Sequence, residues 1–265
     1  MNKPLLLLIN DDGIEAEGLL QLYLSLRDEY RLAIVAPERE QSGVGLAITL
    51  HTPLQLTPSK LYPEGVAWRV NGTPADCVKL ALNIVLDETP AAILSGINRG
   101  SNAGRNVLYS GTIGGVIEGV LRGIQGMALS CSIANGFFPD AFGDQIRHLV
   151  RDLLEDPLPE GSLLNVNFPA TRNPLGIRFA QQGKSYWLEN LDQRQHPREE
   201  KPYYWLGGRL SEYEESPESD VALLDADYTT ATPLQVSDLT DHAQFMRRVE
   251  RMNACLNSLH KTIHV

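Results

Sequence analysis

The sequence predicts an α/β fold: a doubly wound, mostly parallel sheet with a Rossmann-like core, a small hairpin insertion and a C-terminal oligomerisation arm. Three observations carry this prediction. Short continuous apolar runs, typical of strands buried on both faces, alternate over the first two-thirds of the chain with segments whose apolar residues recur at helical spacing. Such alternation indicates βαβ units, whose helices cover both faces of a parallel sheet. The chain of 265 residues, 43% apolar and 21% charged, is long enough for a sizeable core.

The elements follow from these patterns in order. Leu5 to Asn10 is a continuous apolar run closed by a polar residue, and the next segment, 18–27, repeats leucines at helical spacing. The helix predicted over 74–86 begins at Pro74, which suits a first turn because the N–H of that position has no helical partner anyway. The other predicted strands cover 32–36, 91–95, 127–132 and 163–168, and the other predicted helices cover 112–122 and 141–154.

An insertion interrupts the alternation before the helix over 74–86. The segments 51–57 and 66–70 have the pattern of short strands on either side of a proline-containing turn. We therefore expect a hairpin insertion at about 51–70.

The chain changes character in its last third. The segment 183–220 is polar and charged, yet it contains the aromatic run Tyr-Tyr-Trp at 203–205, which favours an arm that packs against another subunit. An amphipathic helix is predicted over 245–260. We therefore expect an α/β catalytic core over 1–182, followed by an arm and closing helix over 183–265 that belong to the same domain.

Charge and cysteine usage exclude several classes of protein. The 23 basic and 33 acidic residues give a net charge of −10, whereas non-specific nucleic-acid binding needs a basic surface, so no nucleic-acid partner is expected. Three cysteines without a CxxC pair disfavour a thiolate metal site and fit a reducing, cytoplasmic compartment. No run reaches the ~20 apolar residues of a membrane span, and the run at 5–9 is too short for a signal peptide, so no membrane partner is expected.

Polar, glycine-bearing segments follow several of the predicted strands. Residues 10–13 (Asn-Asp-Asp-Gly) end the first strand, and residues 41–43 (Gln-Ser-Gly) come after the second. Residues 96–104 follow the strand over 91–95, and residues 109–112 precede the next helix. Because ligands of an open parallel sheet bind at the carboxyl ends of its strands, we expect these segments to form one site.

Asp11 and Asp12 point to a metal ion. Two adjacent carboxylates at the end of a buried strand repel each other unless a cation joins them, and a hard divalent cation prefers oxygen ligands. Ser42 and Asn98 offer neutral oxygens and leave positions for water and a phosphate. None of the six histidines falls in these segments, which favours one Mg²⁺ or Mn²⁺ ion over zinc or iron.

Each of these residues also has a simpler interpretation. Asp-Asp-Gly is a common turn in which one aspartate caps the next helix. Ser42 suits a turn or a cap, and Asn98 suits a loop position with left-handed backbone.

Ser110, Gly111 and Thr112 lie where a helix is predicted to begin. Unpaired backbone N–H groups at such a position attract anions, and glycine allows a ligand to approach closely. We therefore predict that these three residues and Asn98 bind phosphate; the alternative is an ordinary helix cap. The P-loop, the GxGxxG dinucleotide motif and the GxSxG nucleophile motif are all absent.

With these residues in view, the sequence resembles the SurE family, the stationary-phase survival proteins that act as nucleotidases. The motifs that carry the resemblance are 10–14 (NDDGI), 36–43 (APEREQSG), 72–78 (GTPADCV), 95–104 (SGINRGSNAG), 109–112 (YSGT), 118–119 (EG), 203–205 (YYW), Asp220 and 232–234 (TPL). The chain departs from the family pattern at Glu17, where proline is usual, at Gly114-Gly115, where two alanines are frequent, and around 225–228. None of these changes removes a predicted ligand.

The resemblance implies a metal-dependent phosphatase that acts on nucleoside monophosphates. In that family the residues matching Asp11, Asp12, Ser42 and Asn98 bind the divalent metal. The resemblance also implies a C-terminal arm that is exchanged between the subunits of a homodimer or homotetramer.

Metal-assisted hydrolysis is the mechanism that we expect, with Asp11, Asp12 and Asn98 as catalytic residues. A bound cation lowers the pKa of a coordinated water, and Asp11, which directly ends the strand, is favoured to orient or deprotonate that water. The activity expected is that of a 5′-nucleotidase, with 3′-nucleotides as further substrates. The alternatives are an exopolyphosphatase, a general phosphomonoesterase and a non-catalytic nucleotide-binding module. The preferred base, the native metal, the general acid and the subunit count stay open.

Overall fold

A computed structural model describes residues 3–63, 66–132, 139–211 and 213–263. The strands are β1 (Leu5–Ile9), β2 (Arg31–Pro37), β3 (Leu56–Pro58), β4 (Ala67–Val70), β5 (Ala92–Arg99), β6 (Gln125–Cys131), β7 (Ser162–Phe168), β8 (Ile177–Phe179), β9 (Trp187–Gln195), β10 (Pro202–Leu210) and β11 (Thr229–Gln235). The α-helices are α1 (Glu17–Leu26), α2 (Pro74–Leu80), α3 (Gly111–Val120), α4 (Pro139–Glu155), α5 (Asp220–Asp225) and α6 (His242–Ile263).

A nine-stranded sheet, in the order β3-β4-β2-β1-β5-β6-β7-β11-β8, forms the centre of the molecule. Strand β1 pairs in parallel with β2 on one side and with β5 on the other, so the chain builds the sheet outward from β1 in both directions. Among the described strands of this sheet, only the β3–β4 and β7–β11 pairs are antiparallel. The prediction of a doubly wound, mostly parallel α/β sheet is therefore confirmed. The order in which the chain adds strands reverses between β1 and β5.

Helices cover both faces of this sheet, as the apolar runs predict. Leu6 and Leu8 of β1 pack in one core with α1 and α4, whereas Leu7 and Ile9 pack on the opposite face with α2. Successive side chains of a strand point to opposite faces, so only a strand covered on both sides is apolar at every position. This explains why β1 carries five apolar residues in a row.

Strand β5 is longer than predicted. The prediction ended it at Ser95, but the structure continues it to Arg99, with a shift in its register against β6 between Ser95 and Asn98. Gly96 makes this possible: its φ is +136°, and a Cβ there would lie 2.2 Å from the carbonyl oxygen of Leu129. Asn98 therefore lies near the carboxyl end of a central strand rather than in a free loop.

The hairpin insertion exists, but its first strand is shorter than predicted. The chain pairs with β4 only over Leu56–Pro58. Upstream of β3, the backbone bonds to the side chain of Asn71 instead of to a neighbouring strand. Nδ2 of Asn71 donates to the carbonyl oxygen of Pro53 (3.3 Å), and its Oδ1 accepts from the N–H of Gln55 (2.7 Å). Pro53 itself has no N–H to donate to a ladder.

The helix predicted over 74–86 has two parts. The α-helix α2 ends at Leu80, and a turn of π-helix over Ala81–Val85 completes the segment. The C-terminal third adds two short strands and a helix that the sequence pattern did not predict: β8, β11 and α5. Strand β11 inserts between β7 and β8 in the main sheet.

The predicted arm is a β-hairpin outside the main sheet. In the described part of the chain, β9 and β10 pair only with each other, and nearly all of their residues are exposed. The helix predicted over 245–260 is present as α6, and its described side chains are exposed. Within the described ranges, no helix has the length and apolar character needed to cross a bilayer.

Candidate functional site

Asp11 lies two residues beyond Ile9, the last residue of β1, and is 4% exposed. Its Oδ1 accepts a hydrogen bond from the hydroxyl of Thr112 (2.6 Å), and its carbonyl oxygen accepts from the N–H of Gln41 (2.7 Å). These bonds tie the end of β1 to the segment after β2 and to the start of α3. Three of the segments predicted to converge therefore meet at this residue.

Gly111 leaves the room that Asp11 occupies. A Cβ at Gly111 would lie 2.9 Å from the Cβ of Asp11 and 3.0 Å from its Oδ2. The N-terminus of α3 can therefore approach the carboxylate closely only because residue 111 has no side chain.

The two carboxylates lie in an environment that disfavours their charge. Burial raises the pKa of Asp11 to about 6; the neighbouring charge of Asp12 adds to this rise, and the Thr112 hydrogen bond opposes it. Burial also raises the pKa of Asp12, as does the charge of Glu40, although its Oδ2 accepts from the N–H of Arg99 (3.0 Å). A cation between these groups would remove the penalty.

Ser42 and Asn98 complete the predicted ligand set. The Ser42 side chain is exposed, and its hydroxyl donates to Oε1 of Glu40 (2.5 Å). The amide nitrogen of Asn98 donates to the carbonyl oxygen of Gly100 (2.9 Å), so its amide oxygen points away from that carbonyl. Both residues border the same cavity as Asp11.

The predicted phosphate-binding residues have different surroundings. Ser110 is the N-cap of α3, accepts from the N–H of Ile113 (3.3 Å) and lines the cavity. Thr112 is fully buried and uses its hydroxyl on Asp11, so its side chain positions the carboxylate. The backbone N–H groups of Gly111 and Thr112 belong to the first turn of α3, where no helical carbonyl can pair with them.

A cavity of about 680 Å³ opens at these residues, a size within the range of small-molecule sites. Its walls come from the end of β5, from the segments that follow β1, β2 and β5, and from the β9–β10 hairpin. The lining residues are Asp11, Ser42, Gly43, Asn98, Arg99, Ser101, Asn102, Asn106, Tyr109, Ser110, Trp187, Glu189, Leu206 and Gly207. A second cavity of about 340 Å³ lies against Asp12 and shares Ser42 and Arg99 with the first. The ligand candidates therefore lie between two solvent-accessible spaces.

A buried polar network behind the site was not predicted from the sequence. Asn102 donates from its side chain to Ser130 (2.8 Å) and from its N–H to Oδ1 of Asn167 (2.8 Å), while its carbonyl oxygen accepts from Asn165 (3.0 Å). This network anchors the segment that carries Ser101 and Asn102 to β6 and β7. The available signal was the alternation of Asn165 and Asn167 within an otherwise apolar strand, which places two amides on one buried face.

The donor set fits a hard divalent cation. Two carboxylates, an amide oxygen and a hydroxyl supply only oxygen ligands, and the described residues contain no group of three or more His, Cys, Asp or Glu side chains placed to hold a metal. In addition, the fully buried Oδ1 of Asn10, beside Asp11, has no hydrogen-bond partner among the described residues. A site with so few protein carboxylates leaves positions for water and an anionic ligand.

The chain is therefore an α/β protein with a doubly wound sheet, and its candidate ligand site, which contains Asp11 and Asp12, lies at the point where the strand order reverses. The sequence model described as Survival protein SurE matches residues 6–189. The chain belongs to the SurE family.

Individual relatives cover nearly the whole chain. A protein of Protochlamydia amoebophila named 5′-nucleotidase SurE is 48% identical over 251 residues, 93% of this chain and 95% of the relative. A protein of the same name from Caldanaerobacter subterraneus is 39% identical over 91% of this chain and 95% of the relative. The crystal structure of the SurE protein from Aquifex aeolicus is 32% identical, covers 94% of this chain and 100% of its own, and superposes with a TM-score of 0.80.

Proposed function

We propose that this protein is a divalent-metal-dependent phosphatase that hydrolyses nucleoside 5′-monophosphates, with 3′-nucleotides as further substrates. The observation that carries the proposal is the meeting of Asp11, Ser42, Asn98 and Ser110 around one cavity, with Asp12 directly beside them. The curated relatives named 5′-nucleotidase SurE support the choice of substrate.

Asp11, Asp12, Ser42 and Asn98 would hold one Mg²⁺ or Mn²⁺ ion. When bound, such an ion polarises the phosphate and lowers the pKa of a bound water. Thr112 keeps one oxygen of Asp11 engaged, which leaves Oδ2 for the site. The bond from the Arg99 N–H restrains Asp12 in the same way.

The first turn of α3 is proposed to bind the phosphate. Ser110 borders the cavity, and the N–H groups of Gly111 and Thr112 lie in the first turn of α3, where the helix dipole favours a negative charge. These donors are fixed before the substrate binds, so they stabilise the charge that develops on the phosphate oxygens without reorganisation. Oδ2 of Asp11 is the proposed acceptor of the proton of the attacking water.

Phosphate release from a panel of substrates tests this function. The panel contains 5′- and 3′-nucleoside monophosphates and polyphosphate, each with Mg²⁺, Mn²⁺ or EDTA. Metal-dependent release from the 5′-nucleotides is the expected result. Release mainly from polyphosphate would make the protein an exopolyphosphatase, and tight nucleotide binding without release would make it a binding module.

We also propose that the protein forms a homodimer or homotetramer through its arm. The β9–β10 hairpin and α6 carry exposed apolar residues, and on α6 these recur at helical spacing as Phe245, Val249 and Met252. Soluble monomers rarely expose an apolar stripe of this kind, so a second copy of the chain is the proposed cover. A cytoplasmic location stays a prediction from cysteine usage.

The oligomeric state is testable with paired variants. Phe245→Asp combined with Val249→Asp places two charges on the apolar stripe, whereas Gln244→Asp adds one charge to an exposed polar position of the same helix. Light scattering coupled to size exclusion should show the wild type and Gln244→Asp as oligomers and the double variant as a smaller species. A double variant of unchanged mass would remove α6 from the interface.

A further inference from the structure

The candidate active-site cavity combines two kinds of surface. Asp11, Asn98 and Ser110 contribute polar groups, whereas Tyr109 and Trp187 contribute aromatic side chains that are 64% and 53% exposed. A nucleoside monophosphate has the same division, because a charged phosphate and a flat aromatic base are joined by a ribose. The polar residues are assigned to the metal and the phosphate above, and the aromatic surface has no role yet.

The main chain of Trp187 is fixed to the body of the protein. Trp187 is the first residue of β9, and its N–H donates to Oδ1 of Asn106 (3.0 Å). Asn106 lies in the 3₁₀ turn Gly104–Leu108 directly before Tyr109, and it lines the same cavity. The arm therefore begins at the site, and its first side chain belongs to the site wall.

The indole of Trp187 lies against a glycine. A Cβ at Gly208 of β10 would lie 2.2 Å from Nε1 and 2.6 Å from Cδ1 of Trp187, and also 2.6 Å from the carbonyl oxygen of Leu188, so the ring and the β9 backbone both pack against this glycine. Because Gly208 has no side chain, the indole can pack directly on the hairpin, while about half of the surface of Trp187 stays exposed to solvent.

We propose that Trp187 is the platform on which the base of the nucleotide substrate stacks, with Tyr109 bordering the same base subsite. This inference rests on the proposed nucleotidase function and specifies how that site takes the nucleoside half of its substrate. Stacking on an aromatic face accepts every base because every base has a π-face. The enzyme is therefore expected to hydrolyse purine and pyrimidine nucleotides alike.

A matched pair of tryptophans makes the test specific. Trp187 and Trp205 lie on the same hairpin and are 53% and 61% exposed, but Trp205 is not among the described residues that line the cavity. Trp187→Ala should lower kcat/KM for AMP and UMP by about 5- to 100-fold, mainly through KM, because the stacking contact is lost. Its activity on ribose 5-phosphate, which has no base, should stay unchanged, and Trp205→Ala should leave both activities unchanged.

Two further variants separate stacking from a general disturbance of the arm. Trp187→Phe keeps an aromatic face and should retain most of the activity on AMP. Trp187→Leu keeps a bulky apolar side chain without an aromatic face, and should reproduce the selective loss on nucleotides. Equal losses on AMP and ribose 5-phosphate in Trp187→Ala, or no loss on either, would overturn the proposal.

A binding measurement keeps the test independent of catalysis. AMP titrated into the protein in EDTA should quench tryptophan fluorescence, and the quenching should be absent in Trp187→Phe and present in Trp205→Phe. Quenching without any phosphate release by the wild type would refute the nucleotidase function while supporting the base platform. Quenching that persists in Trp187→Phe would refute the platform whatever the activity.

Discussion

Asp11 and Asp12 receive hydrogen bonds from the protein, and the charge of Arg99 only partly offsets the burial that raises the pKa of Asp12. Thr112 donates to one, and the backbone of Arg99 donates to the other. Asp11→Asn and Asp12→Asn preserve the shape of each side chain and remove its charge. Each substitution should reduce kcat on AMP by about 100-fold or more at saturating metal, since the ligand charge and the proposed proton acceptor are lost.

The control for these variants is Asp87→Asn. Asp87 is an exposed aspartate in the segment that leads into β5, at the amino end of that strand and away from the candidate site. Circular dichroism should show all three variants folded, with only Asp87→Asn active. Near-wild-type turnover in Asp11→Asn or Asp12→Asn would contradict the assignment of the acidic pair.

Thr112 is a positioning residue. Its hydroxyl is buried and holds Oδ1 of Asp11 at 2.6 Å, so Thr112→Val removes that bond with little change in shape. We expect activity to fall by about 10- to 100-fold, the range typical of groups that orient metal ligands. Thr112→Ser should restore most of it. A valine variant with unchanged metal affinity, measured by titration, and unchanged kcat would show that the bond is structural only.

At the scale of residues, the sequence predicts which side chains come together but not which hydrogen-bond partners hold them in place. The ends of parallel strands meet by the rules of the fold, so Asp11, Ser42 and Asn98 can be brought together without coordinates. The side chain of Asn102, by contrast, is held by Ser130 on β6, 28 residues away. Such partners depend on strand register, which the hydrophobic pattern alone does not fix to a single residue.

At the scale of elements, Asp76 shows how one carboxylate stabilises a helix start. Its Oδ2 accepts from the N–H of Thr73 (3.0 Å) and the hydroxyl of Thr49 (2.6 Å), and Thr73 in turn caps α2. Burial alone would raise the pKa of Asp76, but these hydrogen bonds outweigh it and lower the pKa. The charged form therefore stabilises the folded protein.

Asp76→Ala should lower the free energy of unfolding by about 1–2 kcal/mol at neutral pH. Because the folded-state pKa is depressed, this contribution is complete above the unfolded value of 3.8 and is lost as the pH falls through the folded one. Urea denaturation should thus separate the variant from the wild type at pH 7, and the difference should shrink as the pH falls below 3.8. If the difference in unfolding free energy between the two proteins did not depend on pH, the effect would come from packing.

Most elements could be predicted because periodicity and caps act locally. The exceptions depend on tertiary contacts. Gly96 extends β5 through a close approach to Leu129, and Asn71 replaces the ladder that would have continued the insertion hairpin. Strand β11 was missed because its sequence, Thr-Thr-Ala-Thr-Pro-Leu-Gln, is mostly polar and contains a proline, yet it is paired on both sides.

At the scale of the molecule, the topology explains why the site lies beside β1. The chain leaves β1 toward β2 and β4, then returns to build β5, β6 and β7 on the other side. The connections after β1 and β5 therefore diverge and leave a crevice, which the start of α3 and the base of the arm enclose. Because β11 pairs with β7 in the main sheet, we propose that the C-terminal segment unfolds together with the core.

The acidic pair should make the whole fold less stable without metal. Burial raises the pKa of Asp11 from 3.8 to about 6, so the folded protein binds a proton more tightly there than the unfolded chain does. Folding stability must then fall as the pH rises between these values, by up to about 3 kcal/mol for a shift of this size. In EDTA, Asp11→Asn removes this loss and should unfold at a higher temperature than the wild type at pH 7.5.

Mg²⁺ should reverse the order of the two melting temperatures, so that the wild type becomes more stable than Asp11→Asn. A cation that binds only the folded state stabilises it by mass action, and the wild type retains the charge that Asp11→Asn lacks. The melting temperature of the wild type should therefore rise with Mg²⁺ concentration, while that of Asp11→Asn should change little. Scanning calorimetry at pH 5 and pH 7.5, with EDTA or Mg²⁺, measures both effects on one protein. If Asp11→Asn were no more stable than the wild type in EDTA at pH 7.5, the buried charge would already be compensated within the chain, and the strongest physical reason for a metal between Asp11 and Asp12 would be lost.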